Sequence, residues 1–246
     1  MKAYNRYFNK VKEILEIVEE SEKENIEKVV DLFVKAIENK NSIFTFGASH
    51  AGIISEELFY RAGGLALINP IFEPSIMLNI RPITFTSEME SLVGYGELIA
   101  DKVDIKKDDV ILCHSVSGRN SVMIDFVTKA KEKGAKIIGL TNVSYSSQVE
   151  SRHPSGKRLM DIADIVIDNH GEKGDATIKV EGLEQKVSPT STVVGSTIVN
   201  SIVAQVAEEL MNKGITPPIL FSANIDGGKE HNNKIFEEYK DSIYYL

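Results

Sequence analysis

Potential chemistry in this sequence gathers in three hydroxyl-rich segments, each placed to open a helix. They are Gly47-Ala48-Ser49-His50-Ala51-Gly52, Ser115-Val116-Ser117-Gly118-Arg119-Asn120-Ser121 and Ser188-Pro189-Thr190-Ser191-Thr192. A helix N-terminus offers unpaired backbone N–H groups and the positive end of a dipole, and Ser and Thr hydroxyls add neutral donors. The set suits a phosphate monoester. For any one segment the ordinary alternative is a simple N-cap. The 115–121 segment is denser than capping requires, with three serines, an asparagine and a glycine in seven residues. No G-x-G-x-x-G follows the first apolar strand, and Gly156-Lys157 lacks the upstream glycine of a Walker loop, so nucleotide binding of those types is not expected.

Acid and base groups lie close by in the chain. Carboxylate and imidazole suit proton shuttling because local burial can bring them toward neutrality. Glu56 and Glu57 follow the first segment, and Glu57 with Arg61 also has the i, i+4 spacing of a surface ion pair. Glu88, Glu90 and Glu97 fall in a helix-like stretch, with Glu90 among Met89, Leu92 and Val93. His50 sits in the first segment. His114 ends a strand, as a core histidine would, and His153 and His170 sit in turns. His231 belongs to DGGKEHNN, between the apolar PPILFSA and the aromatic IFEEYKDSIYYL. Both flanks can dock, so residues 214–246 are expected to form a tail that closes a site, this chain's or a neighbour's. No pair has H-E-x-x-H spacing, and no metal or cofactor is expected.

These residues need a scaffold, and the pattern supplies one. Val11, Ile14, Leu15 and Val18, then Ile26, Val29, Val30, Phe33 and Ile37, predict a helical extension over residues 1–40. Ser21 stands where it could cap the second helix. The stripe must pack on the domain body or on a partner subunit. Continuously apolar runs at 43–46, 65–68, 110–113, 136–140 and 165–167 predict strands buried on both faces, hence parallel. Helices are predicted at 49–62, 87–101, 121–133 and 192–211. The expected fold class is α/β, a three-layer αβα sandwich on a five-stranded parallel sheet, in a single domain. A (β/α)8 barrel would need eight strands. With 246 residues, a net charge of -8 and 28 Lys and Arg, the chain is expected to be soluble and cytoplasmic, with no nucleic-acid or membrane partner. The lone Cys113 can make no internal disulfide.

The strand VILCH followed by Ser115-x-Ser117-Gly118, the segments AKEKGAKIIGLTN and FGASHAG, and SPTST before the last helix resemble the sugar isomerase (SIS) domain. The layout is similar to the phosphoheptose isomerase-like branch. SRHPSGKRLMDIADIVIDNHGEKGDA and NIDGGKEHNN resemble a bacterial group of SIS-domain proteins whose reaction is not established. The resemblance implies a small-molecule sugar phosphate as ligand. By motif position Ser115, Ser117 and Asn120 with Ser121 would hold the phosphate, joined by Ser188, Thr190, Ser191 and Thr192. Ser49 would meet the sugar. Arg119 would strengthen phosphate binding or pair with a surface carboxylate. Aldose–ketose isomerisation would then use Glu57 or Glu90 as base, with His50 or His231 assisting ring opening. A non-catalytic sugar-phosphate sensor and an amino-sugar-phosphate lyase or deaminase are the alternatives. The N-terminal helices and the family's habit imply a homodimer or homotetramer.

Overall fold

The computed structural model describes residues Met1–Leu246. Two helices open the chain, α1 (Ala3–Ser21) and α2 (Lys23–Asn39). Ser21 does not cap the second helix. Its hydroxyl donates to the Ile17 carbonyl instead, at 2.7 Å, and lies 2.9 Å from Nε2 of His170. Then follow β1 (Ile43–Gly47), a 3-10 turn (Ser49–Gly52), α3 (Ile53–Leu58), β2 (Ile68–Pro70), α4 (Thr84–Ser91) and α5 (Tyr95–Lys102). The second half runs β3 (Val110–His114), α6 (Ser121–Glu132), β4 (Lys136–Thr141), α7 (Val143–Ser147), α8 (Leu159–Ile162) and β5 (Ile165–Asp168). A small hairpin, β6 (Ala176–Ile178) with β7 (Val187–Pro189), leads to α9 (Ser191–Asn212) and finally α10 (Gly228–Glu238).

The main sheet has five strands, all parallel, in the order β2-β1-β3-β4-β5. Alternate strand residues feed two apolar layers. Ile43, Leu112, Ile138 and Ile167 face α2 and α9, together with Val29, Phe33, Val194, Ile198 and Val206. Phe44, Phe46, Ile111, Cys113 and Ile137 face α5 and α6, where Phe46 stacks on Phe126 at 4.0 Å between ring centroids. Burial on both faces is why these strands carry no polar alternation. The N-terminal stripe packs on the body: Ile14, Val18, Val29, Val30, Phe33 and Ile37 are buried there, while Tyr4, Phe8 and Ile17 stay exposed.

Three expectations shift. The run 65–68 is buried, but Leu65 pairs antiparallel with Ile219, and β2 begins only at Ile68. The helix expected at 87–101 is two helices, broken at Gly94 with φ 86°, whose N–H donates to Asp125. The helix expected over 49–62 ends at Leu58. The C-terminal tail runs along the β2 edge, where Asn69 donates to the Ser242 carbonyl and accepts from the Tyr244 N–H, and the Tyr245 phenol donates to Ala66 O. No helix is long and apolar enough to cross a membrane.

Candidate functional site

The sheet order reverses between β1 and β3, and ligands of open α/β sheets bind beyond the strand C-termini at such a point. A pocket of about 250 Å³ lies there. One wall comes from the turn after β1, another from the loop between β3 and α6, and α4 closes the side. The turn can form only because residue 47 is glycine. A Cβ there would stand 2.6 Å from the Ala51 carbonyl oxygen and 2.9 Å from the Gly52 nitrogen. The β3–α6 loop turns at Gly118, in the left-handed region at φ 62°, and the Gly118 N–H donates to Ser115 Oγ at 3.2 Å.

Of the residues singled out from sequence, Ser49, His50, Glu90, Ser115, Ser117 and Asn120 line this pocket. Glu90 is fixed at both oxygens: Ser49 Oγ donates to Oε1 at 2.5 Å and Asn120 Nδ2 to Oε2 at 2.6 Å. Asn120 in turn accepts from Arg152 at 3.0 Å. Asn120 is the N-cap residue of α6, yet its side chain makes no capping bond. The first-turn N–H groups of α6 therefore lack a side-chain partner, and Val122 and Met123 of that turn line the pocket.

The N-terminus of α9 is built differently. Asp175, in the loop after β5, accepts from the N–H groups of Thr190 and Ser191 at 3.1 and 2.8 Å and from Ser191 Oγ at 2.5 Å. A carboxylate thus stands on the end of α9 where an outside anion would go. Asp175 lines the pocket together with Tyr145 and Gly174. Beneath the turn, buried His114 meets the Ala51 carbonyl through Nδ1 at 3.0 Å, and its Nε2 has no partner. Burial holds its pKa below the usual histidine range, opposed by that hydrogen bond and by the Asp175 charge. The pKa of the Tyr7 phenol is raised by burial and then by the Asp175 charge. Cys113, fully buried in β3, is likewise pushed up by burial and does not reach the pocket.

Residues 6–142 match the SIS domain. The chain belongs to the SIS-domain family. A UPF0309 protein of Shouchella clausii is 50% identical over 246 residues, the whole of both chains. Among solved structures, a phosphoheptose isomerase from Francisella tularensis matches with a TM-score of 0.54 at 15% identity, covering 83% of this chain and 96% of that one. The NanR protein of Vibrio vulnificus, solved with ManNAc-6P, matches with a TM-score of 0.52 at 10% identity, covering 98% and 69%. These two likenesses are of fold.

In this SIS-domain chain the remaining sequence candidates lie outside the pocket. Glu57 pairs with Arg61 and accepts from Asn200 at 2.9 Å, beside α9. Asn200 is nine residues along α9 from Ser191, about 13 Å from the end that faces the pocket. His231 stacks on Phe221 and contacts the Ile219 carbonyl at 3.0 Å, on the tail. Ser121 is buried and donates to the Arg152 carbonyl. Arg119 does not line the cavity; its backbone carbonyl accepts from the Arg152 N–H. Ser188, at φ 65°, lies in β7; Thr190 is buried, Thr192 is partly buried at the start of α9, and Ser191 is committed to Asp175. Asp175 and Tyr145 were not singled out in sequence. Neither belongs to a spaced motif, and both reach the pocket only through tertiary folding.

Proposed function

We propose that this pocket binds a phosphorylated sugar and that the protein interconverts its aldose and ketose forms. The observation that carries the reading is the open N-terminus of α6, uncapped by Asn120 and flanked by Ser115 and Ser117, with a braced carboxylate, Glu90, in the same cavity. Phosphate at that end would take backbone N–H groups and the two serine hydroxyls, with Gly118 shaping the loop and Arg119 adding positive charge behind it. Ser115 Oγ already accepts from Gly118, so its own proton is free to be donated. Glu90 is the base in this scheme. It takes the proton from the carbon beside the carbonyl, giving an enediol as the carbonyl oxygen gains a proton. It then returns the proton to the former carbonyl carbon as the neighbouring hydroxyl gives up its own, while Ser49 and Asn120 hold Glu90 in place. His50, exposed at the rim, serves ring opening. The protein works without a cofactor, in the cytoplasm, as a homodimer or homotetramer; Glu57, the alternative base, and His231, the alternative for ring opening, lie outside this pocket.

One observation favours a second reading, a sensor that binds without turnover. Both Glu90 oxygens are engaged within the protein, as a purely structural brace would be. The two readings separate on Glu90→Gln. As a base, its loss should lower turnover by about 10²–10⁴-fold while sugar-phosphate binding stays within a few-fold. Wild-type protein that binds sugar phosphates saturably but turns over none of a four- to seven-carbon panel is the sensor. Stabilisation equal for phosphorylated and free sugars would remove both.

A further inference from the structure

The two helix N-termini at this pocket are filled differently, and the difference gives the cavity a direction. At the α6 end the first-turn N–H groups have no side-chain partner, and the nearest carboxylate, Glu90, is bound to the Asn120 side chain rather than to those N–H groups. The α9 end carries the Asp175 carboxylate, held by two N–H groups and one hydroxyl. A carboxylate offers about four acceptor positions. Oδ1 takes two bonds and Oδ2 takes one, so one acceptor position on Oδ2 is left, on a residue that lines the cavity. No Lys or Arg lines the pocket, while Glu90 and Asp175 both do. A phosphate at the α9 end would find the Thr190 and Ser191 N–H groups already taken by a carboxylate, whereas the first-turn N–H groups of α6 have no side-chain partner. A hydroxyl or ammonium there would find an acceptor.

We propose that Asp175 is the specificity-determining residue of this pocket: it accepts a hydrogen bond from a hydroxyl or amine of the carbohydrate, and the phosphate lies at the α6 end. This rests on the reading that the ligand is a phosphorylated sugar. It removes the 188–192 hydroxyls from the phosphate site and gives that end of the pocket to the sugar. The position of Asp175 is well supported. Residues 172–189 around it are pinned to α1, where the Tyr7 phenol donates to the Pro189 carbonyl at 2.7 Å and Arg6 donates to the Lys179 carbonyl at 2.9 Å. Asp175 itself sits at φ 68°, a conformation held by its three bonds to the start of α9.

The test compares two ligands on three proteins. Inorganic phosphate and the tightest binder from a panel of aldose and 2-amino-aldose phosphates are titrated into wild type, Asp175→Asn and Asp175→Glu. Asn keeps an amide oxygen for the Thr190 and Ser191 N–H groups but replaces the free acceptor with a donor. It should weaken the sugar phosphate by about tenfold or more and leave inorganic phosphate within about twofold. Glu keeps the charge on a longer stem and should also change the ratio of the two affinities. Equal losses for both ligands, or an unchanged ratio, overturn the assignment. If Asp175→Asn does not fold, the ratio in Asp175→Glu decides alone. If wild type binds no phosphate compound at all, the functional reading itself fails, and this assignment falls with it.

Discussion

Gly47→Ala tests whether the pocket depends on the tight turn after β1. The new Cβ would stand 2.6 Å from the Ala51 oxygen and 2.7 Å from its carbonyl carbon. These are backbone atoms, so no side chain can swing away. To restore ordinary contact the 48–52 turn must retreat by close to 1 Å, carrying Ser49, His50 and the carbonyl that accepts from His114. Overpacking of this kind costs about 1–3 kcal/mol, and loss of the buried His114 bond adds about 1–2 kcal/mol. The sum is about 2–5 kcal/mol. For a chain of 246 residues that corresponds to a fall in Tm of about 4–20 °C. Gly52→Ala, in the same turn, is the comparison. Its Cβ would stand 3.1 Å from the Gly47 oxygen and 3.6 Å from its carbonyl carbon, so a shift of a few tenths of an ångström suffices and the cost should stay below about 1 kcal/mol. Thermal melts of both variants, with and without the tightest-binding sugar phosphate, measure stability and site integrity together. A Gly47→Ala protein melting within 1 °C of wild type would refute the argument, as would equal losses in the two variants.

Two further outcomes are expected. Because burial depresses the His114 pKa, the unfolded chain takes up a proton below pH 6.5 that the folded chain refuses. Its contribution is complete above that pH and is lost as the pH falls, with a slope of up to about 1.4 kcal/mol per pH unit. Melts between pH 6.5 and 5 should therefore fall less steeply in His114→Gln than in wild type, and parallel slopes would count against the assignment. Self-association is the other expectation: light scattering should give twice or four times the mass of one chain, and a monomer at working concentration would rule it out.

The sheet was legible because β1, β3 and β4 are buried on both faces and so spell apolar runs, while the edge strand β5, only partly buried, is apolar through Ile165, Val166 and Ile167. The same logic misplaced β2. Leu65, Ala66 and Leu67 are as buried as any strand, but their pairing partner is the C-terminal segment around Ile219, and burial does not name a partner. The break at Gly94 was hidden for a related reason. Helical spacing continues on both sides, and the Gly94 N–H at the start of the second helix is held by Asp125, 31 residues away. At the site, the hydroxyl loops announced themselves by composition. Which glutamate joins them did not, because Glu90 is selected by Ser49 and Asn120, 41 and 30 residues away. The role of SPTST turned on Asp175, which no spacing rule connects to it.

The placement of the pocket at the reversal of strand order bears on how such proteins diverge. Every residue that lines the pocket lies in a connecting turn, loop or helix rather than in a strand of the sheet. The connections can be rewritten singly, by substitution or insertion, while the packed layers keep their shape. A chain with 15% identity to a phosphoheptose isomerase can therefore retain that isomerase's frame and yet address another molecule. For this architecture, ancestry tracks the layers and chemistry tracks the loops, so substrates are better inferred from the dozen residues at the strand tips than from overall kinship.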